Sequence, residues 1–199
     1  ESAEEFGPRL LAEAARRGAL EIVSWQGPIT GKALAMLRDV VVLGDGAHWI
    51  WNLAGDHFGV RTEIGDFYHA SEHVGVAAKA VYGEGSAKAK KWAEGQIGKL
   101  YEKGPKPLLR AIKRAKAPND ESREVLRVER GYFSTNAHRM DYPTFRERGL
   151  PIGSGAIESA ARHLVQDRLK RPGARWSEEG ARGVLALRCR LASQRPLAA

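Results

Sequence analysis

Apolar residues recur at helical spacing at the start of the chain. In SAEEFGPRLLAEAARRG, Ser2 and Glu5 form a capping box, and Phe6, Leu10, Leu11, Ala14 and Ala15 follow on one face. Gly18 supplies the stop. EIVSW (21–25) predicts a short strand closed by the turn Gln26-Gly27-Pro28, and TGKALAMLR (30–38) predicts a short helix. Then the period is lost. Val40, Val41, Val42 and Leu43 form an unbroken apolar run, the mark of a central strand covered on both faces, and Gly-Asp-Gly (44–46) ends it. AHWIWNLAGDHF (47–58) returns to helical spacing, and RTEIGDFYH (61–69) predicts a second, shorter strand. Strand, helix, strand at this length predicts a right-handed parallel βαβ unit.

From about residue 70 to 140 the chain is polar, basic and helical in period. SAKAKKWAEGQIGKLYEKG and PKPLLRAIKRAKA are rich in lysine, and Asn119 and Asp120 offer caps for the run that follows. No strand pattern interrupts this stretch, so 70–145 reads as a helical insertion. RGLPIGSGAIESAARHLVQDRLK (148–170) predicts a Gly/Pro loop and then one helix capped near Ser154, with Glu158 in its first turns. WSEEGARGVLALRCRLAS (176–193) predicts a last helix. The fold class expected is α/β but predominantly helical.

Charge adds a partner class. The 199 residues carry 32 Lys and Arg against 24 Asp and Glu, a net charge of +8, which favours a polyanion such as nucleic acid. No apolar run reaches membrane-spanning length and no secretory signal precedes the first helix, so a membrane location is not expected. A single cysteine, Cys189, excludes an internal disulfide framework and points to a reducing, cytoplasmic setting. The chain opens at Glu1 rather than Met, as expected of a piece of something longer.

Three constellations could carry chemistry. Asp45 follows a predicted buried parallel strand; it is either an ordinary turn aspartate or a functional one, since open α/β sheets place ligands there and its flanking glycines let a metal or phosphate approach the backbone. Glu158 follows a Gly-Ser-Gly loop at a helix start. It is either a solvated first-turn acid or, with Asp45, one of two carboxylates for Mg²⁺ or Mn²⁺. Such ions activate the attacking group and stabilise the leaving oxygen in phosphoryl transfer. DFYHASEH (66–73) carries two overlapping patterns. Its right half, His69-x-x-Glu72-His73, is the inverted zinc-peptidase motif, with Glu158 or His163 as a third ligand that spacing does not select. Its left half is Asp66-x-x-His69. Arg162, Arg168, Lys170, Arg171, Arg175 and Trp176 form a basic and aromatic cluster, either a solvated helix face or a contact for DNA phosphates.

VVLGDGAHWIWNLAGDHF, DFYHASEH, MDYPTFRERGLPIGSGAIESA and RWSEEGARGVLALR, in this order, resemble the carboxyl-terminal part of bacterial insertion-sequence transposases of the ISKra type, within the Mutator-like group. The resemblance covers most of the chain from about residue 39. It implies a DDE enzyme with a partial ribonuclease-H-like fold, divided as catalytic core 1–69, helical insertion 70–145 and core helices 146–199. It implies that Asp45 is the second catalytic aspartate, Asp66 and His69 the Asp-x-x-His pair, and Glu158 the final glutamate. It also implies Mg²⁺-dependent cleavage and strand transfer at transposon ends and target DNA, nucleoid association, and a homo-oligomer when intact. Twenty-one positions separate Asp45 from Asp66, too few for the strands the family places between its two aspartates. The first aspartate is therefore expected upstream of Glu1, and this chain alone is expected to be inactive in strand transfer. A non-catalytic DNA-binding remnant is the alternative, and a zinc peptidase a lesser one.

Overall fold

A computed structural model describes residues 3–16, 20–21, 36–37 and 40–192. Ser2, Gly18, EIVSW beyond Glu21 and the Gln26-Gly27-Pro28 turn lie outside them. The described chain is predominantly helical and divides into two compact units, 1–153 and 154–199.

In the first unit, α1 (Ala3–Arg16) packs on α2 (His48–His57). β1 (Leu20–Glu21) and β2 (Met36–Leu37) form an antiparallel pair. Met36 and Leu37 therefore depart from the helix predicted over 30–38. A nine-residue window is too short to hold a helix unaided, so cross-strand partners decide its fate.

β3 (Val41–Gly44) and β4 (Thr62–Gly65) pair in parallel across α2, in the register Val41↔Thr62 to Gly44↔Gly65. The parallel βαβ unit read from the sequence is present. Its first strand is not the fully covered one expected: Val41, Val42 and Leu43 are half-buried, because each strand has a single neighbour among the described residues. β4 also stops four residues earlier than predicted. The Asp66 carboxylate accepts the His69 backbone N–H at 2.9 Å and starts α3 (Phe67–Tyr82) there.

The rest of the first unit is helical: α4 (Ala87–Lys103), α5 (Pro105–Arg114), α6 (Asp120–Thr135), a 3₁₀ turn (Ala137–Arg139) and α7 (Tyr142–Glu147). Sequence explains the punctuation. Ser86 caps α4, Asn119 caps α6, and Pro105 occupies the first position of α5, where its missing N–H costs nothing. Gly104, at φ +70°, both ends α4 and leads into α5.

α3 is the centre of this bundle. Ala70, Val74, Ala77 and Ala78 are buried along one stripe against α4 and α6. Leu100, Leu108, Phe133, Met140 and Tyr142 close the core, each fully buried, and each aliphatic or aromatic side chain there contributes about 1.5–3 kcal/mol by leaving water. Ile64 belongs to the same core, and the Tyr142 hydroxyl donates to the Gly65 carbonyl at 3.0 Å. The helical bundle thus grips the strand that delivers Asp66.

The second unit contains α8 (Gly155–Ala161), a π turn (Arg162–Gln166), α9 (Asp167–Leu169) and α10 (Glu178–Ala192). The single helix predicted through residue 170 is interrupted. Arg188 of α10 donates to the His163 and Leu164 carbonyls at 2.6 and 2.9 Å, and a side chain inserted into the ladder opens a helix into a π turn. The Ser177 hydroxyl accepts the Gly180 N–H at 3.1 Å and starts α10. Among the described residues, no helix is long and apolar enough to cross a membrane.

Candidate active site at the carboxyl ends of the parallel strands

β3 and β4 end on the register pair Gly44↔Gly65, and an aspartate follows each glycine. The Asp66 N–H donates to the Gly44 carbonyl at 2.7 Å, so the ladder holds the two strand ends level. Asp45 is exposed, and one of its oxygens accepts the Ala47 N–H at 2.9 Å, which fixes the turn into α2. Asp66 is buried and caps α3.

α3 brings both histidines of DFYHASEH to one face, as positions four apart require. Their Nε2 atoms are 3.3 Å apart. On the far side of each ring stands a carboxylate: Glu129 Oε2 at 2.7 Å from His73 Nδ1, and Glu72 Oε2 at 3.5 Å from His69 Nδ1. Glu72 is solvated at 77% exposure, whereas Glu129 is 7% exposed.

Tyr132 ties these parts together. Its ring stacks on His73 with centroids 3.7 Å apart, and its hydroxyl donates to the Asp45 carbonyl at 3.2 Å. Burial, and then the negative charges of Asp45, Asp66 and Glu129, push its ionisation well above the ordinary tyrosine value, so it remains a donor. Gly46, at φ +103°, lies against this ring, and a Cβ there would stand 2.9 Å from Tyr132 Cε2.

Glu129 and Tyr132 were not visible as site residues from the sequence. Their signal was present but weak. Leu126, Glu129 and Phe133 fall on one buried stripe of α6, and an acid on an apolar stripe needs a partner. His73 of α3 is that partner.

The other predicted residues belong to the second unit. Glu158 is exposed and accepts from the Ser154 hydroxyl at 2.7 Å. Arg162, Arg168, Lys170, Arg171 and Arg175 are exposed as well. Arg168 lies over the Trp176 ring at 5.0 Å, and Arg171 Nε donates to the Asp167 carbonyl at 2.7 Å. His163 pairs with Asp167 at 3.0 Å.

Among the described residues, no three His, Cys, Asp or Glu side chains converge closely enough to hold a metal ion by themselves. Mg²⁺ does not require that. It takes one or two carboxylates and fills its octahedron with water and phosphate oxygens, so the aspartates at the strand ends fit it in kind. A cleft of about 470 Å³ between α5 and α6 is lined by Lys113, Arg123, Arg127 and Arg130, none of them at the strand ends. Arg123 and Arg127 already pair with Asp120 and Glu124 on their own helix. No protein-family model matches the chain, and no curated protein or solved structure matches it either.

Proposed function

We propose that this chain carries part of the catalytic centre of a DDE-type DNA transposase with a ribonuclease-H-like core, which cleaves and joins DNA by Mg²⁺- or Mn²⁺-dependent phosphoryl transfer. The observation that supports the reading is the level placement of Asp45 and Asp66 at the carboxyl ends of two adjacent parallel strands. In that reading Asp45 ligates the ion, which supplies charge stabilisation at the transferring phosphate. Asp66 fixes the start of α3 through the His69 backbone N–H, and His69 supports the site from the first turn of that helix. Glu158 keeps the metal-ligand role through the family resemblance alone. The basic residues at 162, 168, 170, 171 and 175, with Trp176, neutralise DNA phosphates without reading sequence.

Fluorescence-anisotropy titrations with duplex and nicked DNA at several salt concentrations test this. Affinity is expected to fall steeply with salt, to rise with Mg²⁺, and to lose the Mg²⁺ increment in Asp45→Ala and Glu158→Ala. Binding indifferent to Mg²⁺ and to both substitutions would instead support a non-catalytic DNA-binding remnant.

A further inference from the structure

We propose that His69 and His73 form a two-imidazole site for a borderline divalent cation of the Zn²⁺, Ni²⁺ or Co²⁺ class, with Glu129 and Tyr132 holding His73 in place. The proposal stands apart from the phosphoryl-transfer reading, which calls for a hard cation on oxygen ligands.

Hydrogen placement leaves one His73 ring nitrogen free to act as a ligand. A carboxylate only accepts, so the Glu129 oxygen 2.7 Å from His73 Nδ1 puts the ring hydrogen on that nitrogen. The Nε2 atom of neutral His73 then presents a lone pair. His69 Nε2 faces that lone pair across 3.3 Å, close enough either to donate its own N–H to it or to share a cation with it.

The separation of the two nitrogens also suits an ion. Two nitrogens each about 2.0–2.1 Å from a tetrahedral ion stand about 3.3–3.4 Å apart. The observed 3.3 Å matches that geometry.

Neighbouring side chains support His73 as a ligand. A metal-binding histidine commonly gives its other N–H to a buried carboxylate, and Glu129 is 7% exposed. Tyr132, stacked at 3.7 Å and 17° on His73, fixes the plane of the ring. The ligand side chains are 39% and 25% exposed, so an ion can enter from solvent. With two protein ligands, the remaining positions fall to water or an incoming anion.

The test is a Co²⁺ titration of the 199-residue chain followed by visible absorption, with Zn²⁺ as competitor. The expected result is one saturable Co²⁺ per chain with imidazole-type bands, displaced by Zn²⁺. His69→Ala should abolish it. His163→Ala, which removes the i,i+4 His–Asp pair of the second unit, should leave it unchanged. Glu129→Gln should weaken binding about 10- to 100-fold. If circular dichroism shows that Glu129→Gln is misfolded, His69→Ala decides, because it leaves the Glu129–His73 bond in place. Absence of saturable binding would assign the gap to a shared proton and overturn the proposal. So would binding that survives His69→Ala or disappears in His163→Ala.

Discussion

Replacing His73 with alanine removes the hydrogen-bond partner that the structure shows for a buried carboxylate. Glu129 Oε2 would lose its 2.7 Å partner while its side chain remains 7% exposed. A hydrogen bond to a charged group contributes about 1.5–3 kcal/mol, and breaking a fully buried pair costs about 3–5 kcal/mol. His73 is 25% exposed, so water can reach part of the vacated volume, and the lower figure applies. Loss of the stacked contact with Tyr132 adds about 0.5–1.5 kcal/mol. The expected destabilisation of the first unit is therefore about 2–4 kcal/mol. Most of it should come from the stranded charge rather than from lost contacts. Glu129→Leu in the His73→Ala background should recover about 1–2 kcal/mol of it, a coupling typical of residues in contact. Urea unfolding followed by far-UV circular dichroism and tryptophan fluorescence measures all four corners of the cycle. A His73→Ala variant within about 0.5 kcal/mol of the parent, or strict additivity in the double variant, would refute this account of Glu129.

Two further perturbations probe the strand ends. Glu63 of β4 is held by Arg61 and Arg139 at 2.7 and 2.6 Å. Burial raises its ionisation, but the two guanidiniums outweigh burial, and the net value lies below the ordinary carboxylate range. A depressed native value means stability that is present above about pH 4.3, the unfolded value, and lost as pH falls through the lower native value. Glu63→Gln should therefore cost about 1–2 kcal/mol at pH 7 and progressively less below pH ~4, read from urea midpoints across pH. A pH-independent difference would contradict it. Gly46→Ala places a side chain at φ +103° and 2.9 Å from the Tyr132 ring, so it should destabilise by about 1–3 kcal/mol. It should also shift the Tyr132 ring signals in NMR. A neutral substitution would mean that the Asp45 turn is not held against α6.

The parallel βαβ unit was legible because both strand runs are bounded by sharp signals. Gly44-Asp45-Gly46 stops β3, and Asp66 both stops β4 and starts α3. The strand endpoint was misplaced by four residues, because Phe67-Tyr68-His69 suits a strand by composition and the deciding fact is a side-chain cap. Met36 and Leu37 failed for a related reason: a short window has no local preference strong enough to resist tertiary pairing. The π turn could not be read at all, since it depends on Arg188, more than twenty residues downstream of the carbonyls it binds. Asp45 was singled out by its place after a strand, and Asp66 and His69 by the resemblance. The contribution of α6 was not, because Glu129 and Tyr132 meet His73 and Asp45 only through the packing of α6 on α3.

The most direct test of the phosphoryl-transfer reading is anomalous diffraction from crystals of the chain grown with DNA and soaked in Mn²⁺. The account predicts an anomalous peak roughly 2.0–2.3 Å from an Asp45 carboxylate oxygen, shared with a DNA phosphate oxygen and absent in Asp45→Asn. DNA bound at full occupancy with no Mn²⁺ at Asp45, or with Mn²⁺ unchanged in Asp45→Asn, would contradict it.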